Sequence, residues 1–165
     1  MVGLFLISLG NLNGLEETIR NQNFYGAGIG SYKTFGTLLS DYNNRHEMTI
    51  AIGDAGTVPY YSDWQVIDLF GLNSNEVAFG IVPIYTLIFD EQPADRILLS
   101  VGPNPNRISD EHAGAQRLYN EATQHGMVQL GAFPFGRVNY IWVVGYPDTD
   151  LDNYLQEKME FKMQP

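Results

Sequence analysis

The sequence predicts an α/β domain, a three-layer, Rossmann-like sandwich with a mostly parallel sheet and an antiparallel hairpin at one edge. Three observations predict it. Apolar runs at 48–52 and 97–101 have the length and partly β-branched composition of buried strands. Helical spacing of apolar residues recurs over 31–42 and 111–124, and helices alternating with strands favour a layered parallel sheet. The last two apolar runs, 127–133 and 138–146, are separated only by Pro134-Phe135-Gly136-Arg137, a tight antiparallel connection. At 165 residues the chain fits one domain spanning 1–165 around one core.

In chain order, the apolar run 2–9 falls far short of the ~20 residues of a spanning helix and lacks the basic flank of a signal peptide. By itself it reads as a buried strand or short helix. After the Asn13-Gly14 break, Leu15 and Ile19 among charged neighbours suggest a short amphipathic helix over 12–21. Gly26-Ala27-Gly28-Ile29-Gly30-Ser31 has glycines for a phosphate cradle, but the spacing is G-x-G-x-G and no clear strand precedes it, so an entry loop is the reading. Ser31 is the expected N-cap of a helix whose apolar face is Tyr32, Phe35, Leu38, Leu39 and Tyr42.

Strand 48–52 then feeds a tight loop, Gly53-Asp54-Ala55-Gly56, followed by Pro59, Tyr60, Tyr61, a Ser62-Asp63 turn, Trp64 and a second strand at 66–69. Residues 73–76 read as a turn opening a helix, and 77–89 as a buried, broken helix interrupted by Pro83. The run 97–101 is the candidate central strand, and Gly102-Pro103-Asn104-Pro105-Asn106 is a loop on the same sheet edge as Asp54. Asp110 is placed to cap helix 111–124, with Ala115, Leu118, Tyr119 and Ala122 inward and His125-Gly126 at its end. A short surface helix closes the chain over 150–158.

Nine Lys plus Arg against 19 Asp plus Glu leave a formal charge of -10, which repels nucleic acid and anionic membrane surfaces. The sequence holds no cysteine, and so no disulfide or thiolate chemistry. His46, His112 and His125 stand apart without metal-ligand spacing, so neither a metal site nor a cofactor is expected.

Asp54 ends an apolar strand, where open α/β sheets place ligand-facing groups. Three readings compete for it. It closes an Asx-type turn onto the backbone N–H groups of 55–57. It resembles the nucleophile of haloacid-dehalogenase-type phosphatases, although the second acidic position is Gly56. It resembles the Gly-Asp-Ser block of SGNH esterases, although alanine stands at 55, where the serine nucleophile would be. No catalytic residue is therefore assigned. Asp68 lies in an apolar strand, where a charge needs a partner, and Arg96 and Arg107 are the candidates. Tyr60, Tyr61 and Trp64, beside Asp54, Ser62 and Asp63, suit either a sugar-stacking surface or plain packing. The candidate binding set is Asp54, Gly56, Tyr60, Tyr61, Trp64 and Asp68.

The runs G-D-A-G-x-x-P-Y-Y-S, from Gly53, and V-I-D-L-x-G-L-N, from Val66, resemble the soluble C-terminal region of GT-C-type membrane glycosyltransferases, mannosyltransferase-like and arabinosyltransferase-like. The resemblance implies a non-catalytic extracytoplasmic domain of an enzyme that uses polyprenyl-phosphate sugars. Its partners would be the transmembrane part of the same polypeptide and an acceptor glycan, and residues 1–10 would be the end of a transmembrane helix. A free-standing glycan-binding module, or a small phosphatase- or esterase-like hydrolase using the Asp54 loop, stays open beside it; a free-standing chain would be cytoplasmic.

Overall fold

The structure is a computed structural model that describes residues 28–42, 48–53, 56–71, 75–136 and 139–159. The expected elements at 2–9 and 12–21, and Asp54 itself, lie outside the described residues.

Five strands form one mixed sheet: β1 (Thr49–Ile52), β2 (Gln65–Asp68), β3 (Arg96–Gly102), β4 (Val128–Phe135) and β5 (Asn139–Gly145), in the order β2-β1-β3-β5-β4. β1 pairs in parallel with β2 and β3, whereas β5 pairs antiparallel with both β3 and β4. Only β5 therefore runs against the others, and the β4–β5 hairpin occupies one edge. The expected central strand is central, and it is buried at every position except Ser100. That is why its sequence reads as a continuous apolar run and not as an alternation.

The pleat sends successive side chains to opposite faces, and each face has its own core. On one, Ile50, Ile52, Leu98 and Val143 pack against Phe35 and Leu39 of helix α1 (28–41), Val58 of α2 (Thr57–Ser62) and Leu151 and Leu155 of α6 (Thr149–Lys158). On the other, Ala51, Ile97, Leu99 and Val144 meet Leu118 and Ala122 of α5 (Ala113–Gln124). The same core takes Leu87 and Ile88 from a π turn, Leu87–Glu91, that continues α4 (Ile84–Thr86). A single-turn helix, α3 (Asn75–Ala78), precedes them.

Several local expectations are corrected. Residues 28–30 are already helical, so Gly28-Ile29-Gly30 is not a loop and Ser31 lies inside α1 instead of capping it. Gly28 is there for closeness: a Cβ on it would sit 2.5 Å from Cζ of Phe135. The stretch after Gly56 is a helix, with Pro59 in its first turn, where a missing N–H costs nothing. Asp63 ends that helix in the left-handed region (φ 60°), a conformation Asp tolerates. The helix at 77–89 is broken as expected, with Pro83 at the start of α4, but it is not buried throughout: Phe79 and Ile81 are 76% and 69% exposed. Asp110 makes no cap; it opens a 3₁₀ turn, Asp110–His112, that leads into α5. Pro134 and Phe135 extend β4, an edge strand, where proline is admissible. The last helix is capped by Asp148, whose Oδ1 accepts from Leu151 N at 3.2 Å, and it buries Leu151 and Leu155.

Candidate functional site

From β1 the chain moves outward to β2, then crosses back to β3 on the other side of β1. In parallel sheets, a crevice forms at the carboxyl ends of the strands where successive connections diverge in this way. A cleft of ≈ 650 Å³ opens there. Its walls come from just past β1 (Gly53) and β2 (Leu69, Phe70), from the middle of β3 (Leu98 to Ser100), and from the N-terminal halves of α1 (Ile29, Tyr32) and α5 (Gly114, Ala115, Leu118), with Ile84 and Tyr85 of α4 and Phe135 of β4.

Among the described lining residues, Tyr32, Tyr85, Ser100 and His112 are the ones whose side chains carry a polar group. No Lys, Arg, Asp or Glu is among the described lining residues. Phe70 (73% exposed) and Ile29 (49%) leave much of their apolar surface to solvent at the cleft. Such exposed surface beside a concave site is the usual mark of a ligand or partner face.

His112 is the best-positioned polar group. Its Nδ1 lies 2.7 Å from Ser109 Oγ, and its backbone N–H donates to Ser109 O at 2.8 Å. Ser109 is in turn fastened to the sheet, its N–H donating to Val101 O at 2.9 Å. Gly102 permits this closeness: it sits at φ +90°, and a Cβ on it would lie 2.7 Å from Ser109 Oγ. The loop between them is held at its middle by Trp142, whose Nε1 donates to Pro105 O at 2.8 Å.

None of the described candidate binding residues lines this cleft. Asp54 is outside the described residues. Gly56 precedes α2, and on that helix Tyr60 is 81% exposed while Tyr61 is half-buried. Their rings meet edge to face at 5.0 Å, and Lys33 Nζ lies 5.1 Å from the Tyr61 ring centre. Trp64 is buried in the core shared with α1 and α6. Asp68 is buried at the end of β2, its Oδ1 accepting from Phe70 N at 3.0 Å. Tyr60 and Tyr61 are thus brought together, and Trp64 is separated from them by its burial. Arg96, one of the two partners considered for Asp68, is paired with Asp152 at 3.3 Å.

Sequence reasoning missed Phe70, Ser100 and His112. A signal was present for part of this: Gly53, Leu69 and Phe70 all lie within the block that carries the glycosyltransferase resemblance, and the loop after β3 was placed on the same edge.

The model of a protein family described as a domain of unknown function, DUF8728, matches residues 18–144. The chain belongs to this family. The match takes in all five strands except the last residue of β5, and every described wall of the cleft. No curated protein and no solved structure matches the chain. Among the described residues, no helix of this DUF8728 member is long and apolar enough to cross a membrane.

Proposed function

We propose that this DUF8728 domain is a Rossmann-like, three-layer ligand-binding module, non-catalytic by itself, whose site is the cleft at the carboxyl ends of β1 and β2, beside β3. The observation that carries this reading is the cleft's construction: a concave apolar volume at the switch point of the sheet, with few polar groups. In keeping with the resemblance of 53–73, the module would serve as the extracytoplasmic part of a polyprenyl-phosphate-sugar-dependent membrane glycosyltransferase, helping to position the acceptor. Gly53 and Leu69 support the link, because these two residues of the resembling block are among those that wall the cleft.

The binding half is tested by titrating the chain with the neutral fluorophore N-phenyl-1-naphthylamine. Saturable one-site enhancement is expected, and Ala115→Trp, which fills the cleft from the first turn of α5, should abolish it. A flat titration of the folded chain sinks the reading. The membrane-enzyme half is tested by the native reading frame upstream of Met1: several hydrophobic spans are expected, and an in-frame stop directly upstream overturns it.

A second reading, glycan contact at Tyr60, is favoured by that ring's 81% exposure. It predicts that Tyr60→Ala weakens binding of oligosaccharide fragments while leaving naphthylamine binding intact; oligosaccharide affinity equal to that of the parent chain would dismiss it.

A further inference from the structure

We infer that the turn between α3 and α4 is a membrane-contacting surface: Phe79 and Ile81, with Phe70 and Tyr85 beside them, insert shallowly into the interfacial layer of a zwitterionic lipid surface. This goes beyond the reading of the cleft and stands whatever the cleft binds.

The chain from Ile81 to Thr86 alternates between outside and inside, yet its outward positions are as apolar as its inward ones. Val82 and Ile84 pack against the core that α5 covers, whereas Ile81, Pro83 and Tyr85 face solvent. Phe79 is exposed ahead of them, and Gly80, at φ +63°, turns the chain between Phe79 and Ile81. A water-facing surface with this alternation would carry polar groups outside. Here no charged residue occurs from Val77 to Phe89. Phe70 joins the same patch: a Cβ on Gly71 would lie 2.6 Å from Ala78 N, so the residues after β2 sit against this turn, and Phe70 shares the cleft with Tyr85.

Size and charge select the occupant. At their exposures the four side chains offer on the order of 500 Å² of surface, within the range of apolar patches that serve a function on monomers. A stable protein pair takes about 800 Å² from each partner, and a second copy would bring its own formal charge of -10 against the first. A lipid surface sets no such minimum, since binding grows with whatever apolar area it takes up. The acidic charge opposes anionic lipid, so a zwitterionic surface is the one approached without repulsion.

The backbone suits a shallow position. Gly80 N–H donates to Val77 O at 3.0 Å and Leu87 N–H to Pro83 O at 3.1 Å, and Pro83 has no N–H, which reduces the polar groups to be dehydrated. Tyr85 combines an apolar ring with a hydroxyl, the kind of side chain that collects at headgroup level.

The test is co-sedimentation of the whole chain with sucrose-loaded phosphatidylcholine vesicles. Saturable binding insensitive to salt is expected, and Phe79→Ser combined with Ile81→Ser should weaken it at least about ten-fold. Phe79→Trp keeps an apolar ring, so it should bind like the parent chain, and its added indole should be quenched by brominated phosphatidylcholine; this readout holds even if the double variant fails to fold. Ala115→Trp, which fills the cleft, should also sediment like the parent. A folded parent chain that stays in the supernatant, a folded double variant that binds equally, or an indole left unquenched on bound chain overturns the inference. Loss of binding in Ala115→Trp would assign lipid uptake to the cleft and overturn it too. So would a parent chain that dimerises in sedimentation velocity while the double variant stays monomeric, which would give the patch to a second copy.

Discussion

Arg96 and Asp152 form a buried ion pair, Nη2 to Oδ1 at 3.3 Å, that ties the first residue of β3 to α6. Arg96 Nη1 also donates to the carbonyls of Asp95 (2.9 Å) and Tyr146 (2.8 Å), and Asp152 Oδ2 accepts from Asp148 N at 2.9 Å. One carboxylate thereby serves the guanidinium and the start of α6, which fixes that helix on its face of the sheet. Removing one partner strands the other's charge, so Asp152→Ala should cost about 3–5 kcal/mol by urea denaturation. The double variant Arg96→Met with Asp152→Leu should recover most of that loss, because well-packed apolar pairs often replace buried ion pairs without cost. A double variant no more stable than Asp152→Ala would count against this account.

The sign of the pH effect at Arg96 is also determined. Desolvation is the largest influence on it and lowers its pKa below the ordinary guanidinium value, against the opposing attraction of Asp152, Asp148 and Asp95. A base whose pKa is lowered on folding binds its proton more tightly in the unfolded chain, so its own contribution to stability rises with pH. That rise runs from the lowered folded value up to the ordinary guanidinium value and ends there. Against the double variant Arg96→Met with Asp152→Leu, which lacks both charges, the parent's unfolding free energy should rise with pH on the alkaline side; a parent curve that falls relative to the double variant there would contradict the argument.

Two glycines in α1, one residue apart, should respond oppositely to alanine. Gly30 has nothing within 4 Å of a would-be Cβ, so Gly30→Ala should stabilise by about 0.5–1 kcal/mol through helix propensity and reduced unfolded-state freedom. At Gly28 the same Cβ would meet the Phe135 ring at 2.5 Å, and the gain is lost to displacement of that ring. Thermal melts of the two variants decide it; equal gains would show the Phe135 contact to be unimportant.

Stability and binding should separate along the aromatic residues. Phe133 is fully buried and stacks on Phe35 at 5.0 Å, so Phe133→Ala should cost about 3–5 kcal/mol. Phe70, 73% exposed at the cleft, should cost no more than about 0.5 kcal/mol as Phe70→Ser while weakening naphthylamine binding several-fold. Should Phe70→Ser bind the fluorophore like the parent chain, the rim of the cleft plays no part in binding.

The alternation of apolar runs and helical faces, read residue by residue, was enough to identify every strand among the described residues. Ile97 to Val101 announced a strand covered on both sides because its interior is apolar without alternation, and the face Leu118–Ala122 announced α5 because burial repeats with the helix. These are local signals: a side chain's solvent preference, imposed at the period of its backbone. The short helix α2 left no such signal, since six residues containing proline and paired tyrosines look like a turn until tertiary contacts hold them, here Val58 in the core and Tyr61 against Gly36.

The site was less legible for the same reason. Trp64 and Tyr60 are both large aromatics near one loop, and only packing decides that Trp64 is core while Tyr60 faces water. Likewise His112 looked like an isolated histidine at a helix start, because its partners Ser109, Val101 and Gly102 are brought to it by the return of the loop onto β3. The sequence by itself determined the mixed α/β class and the acidic charge, because those follow from composition and period. Which residues wall that site was decided by strand order, β2-β1-β3-β5-β4, since a cleft is made by side chains distant in the chain whose proximity no local preference encodes.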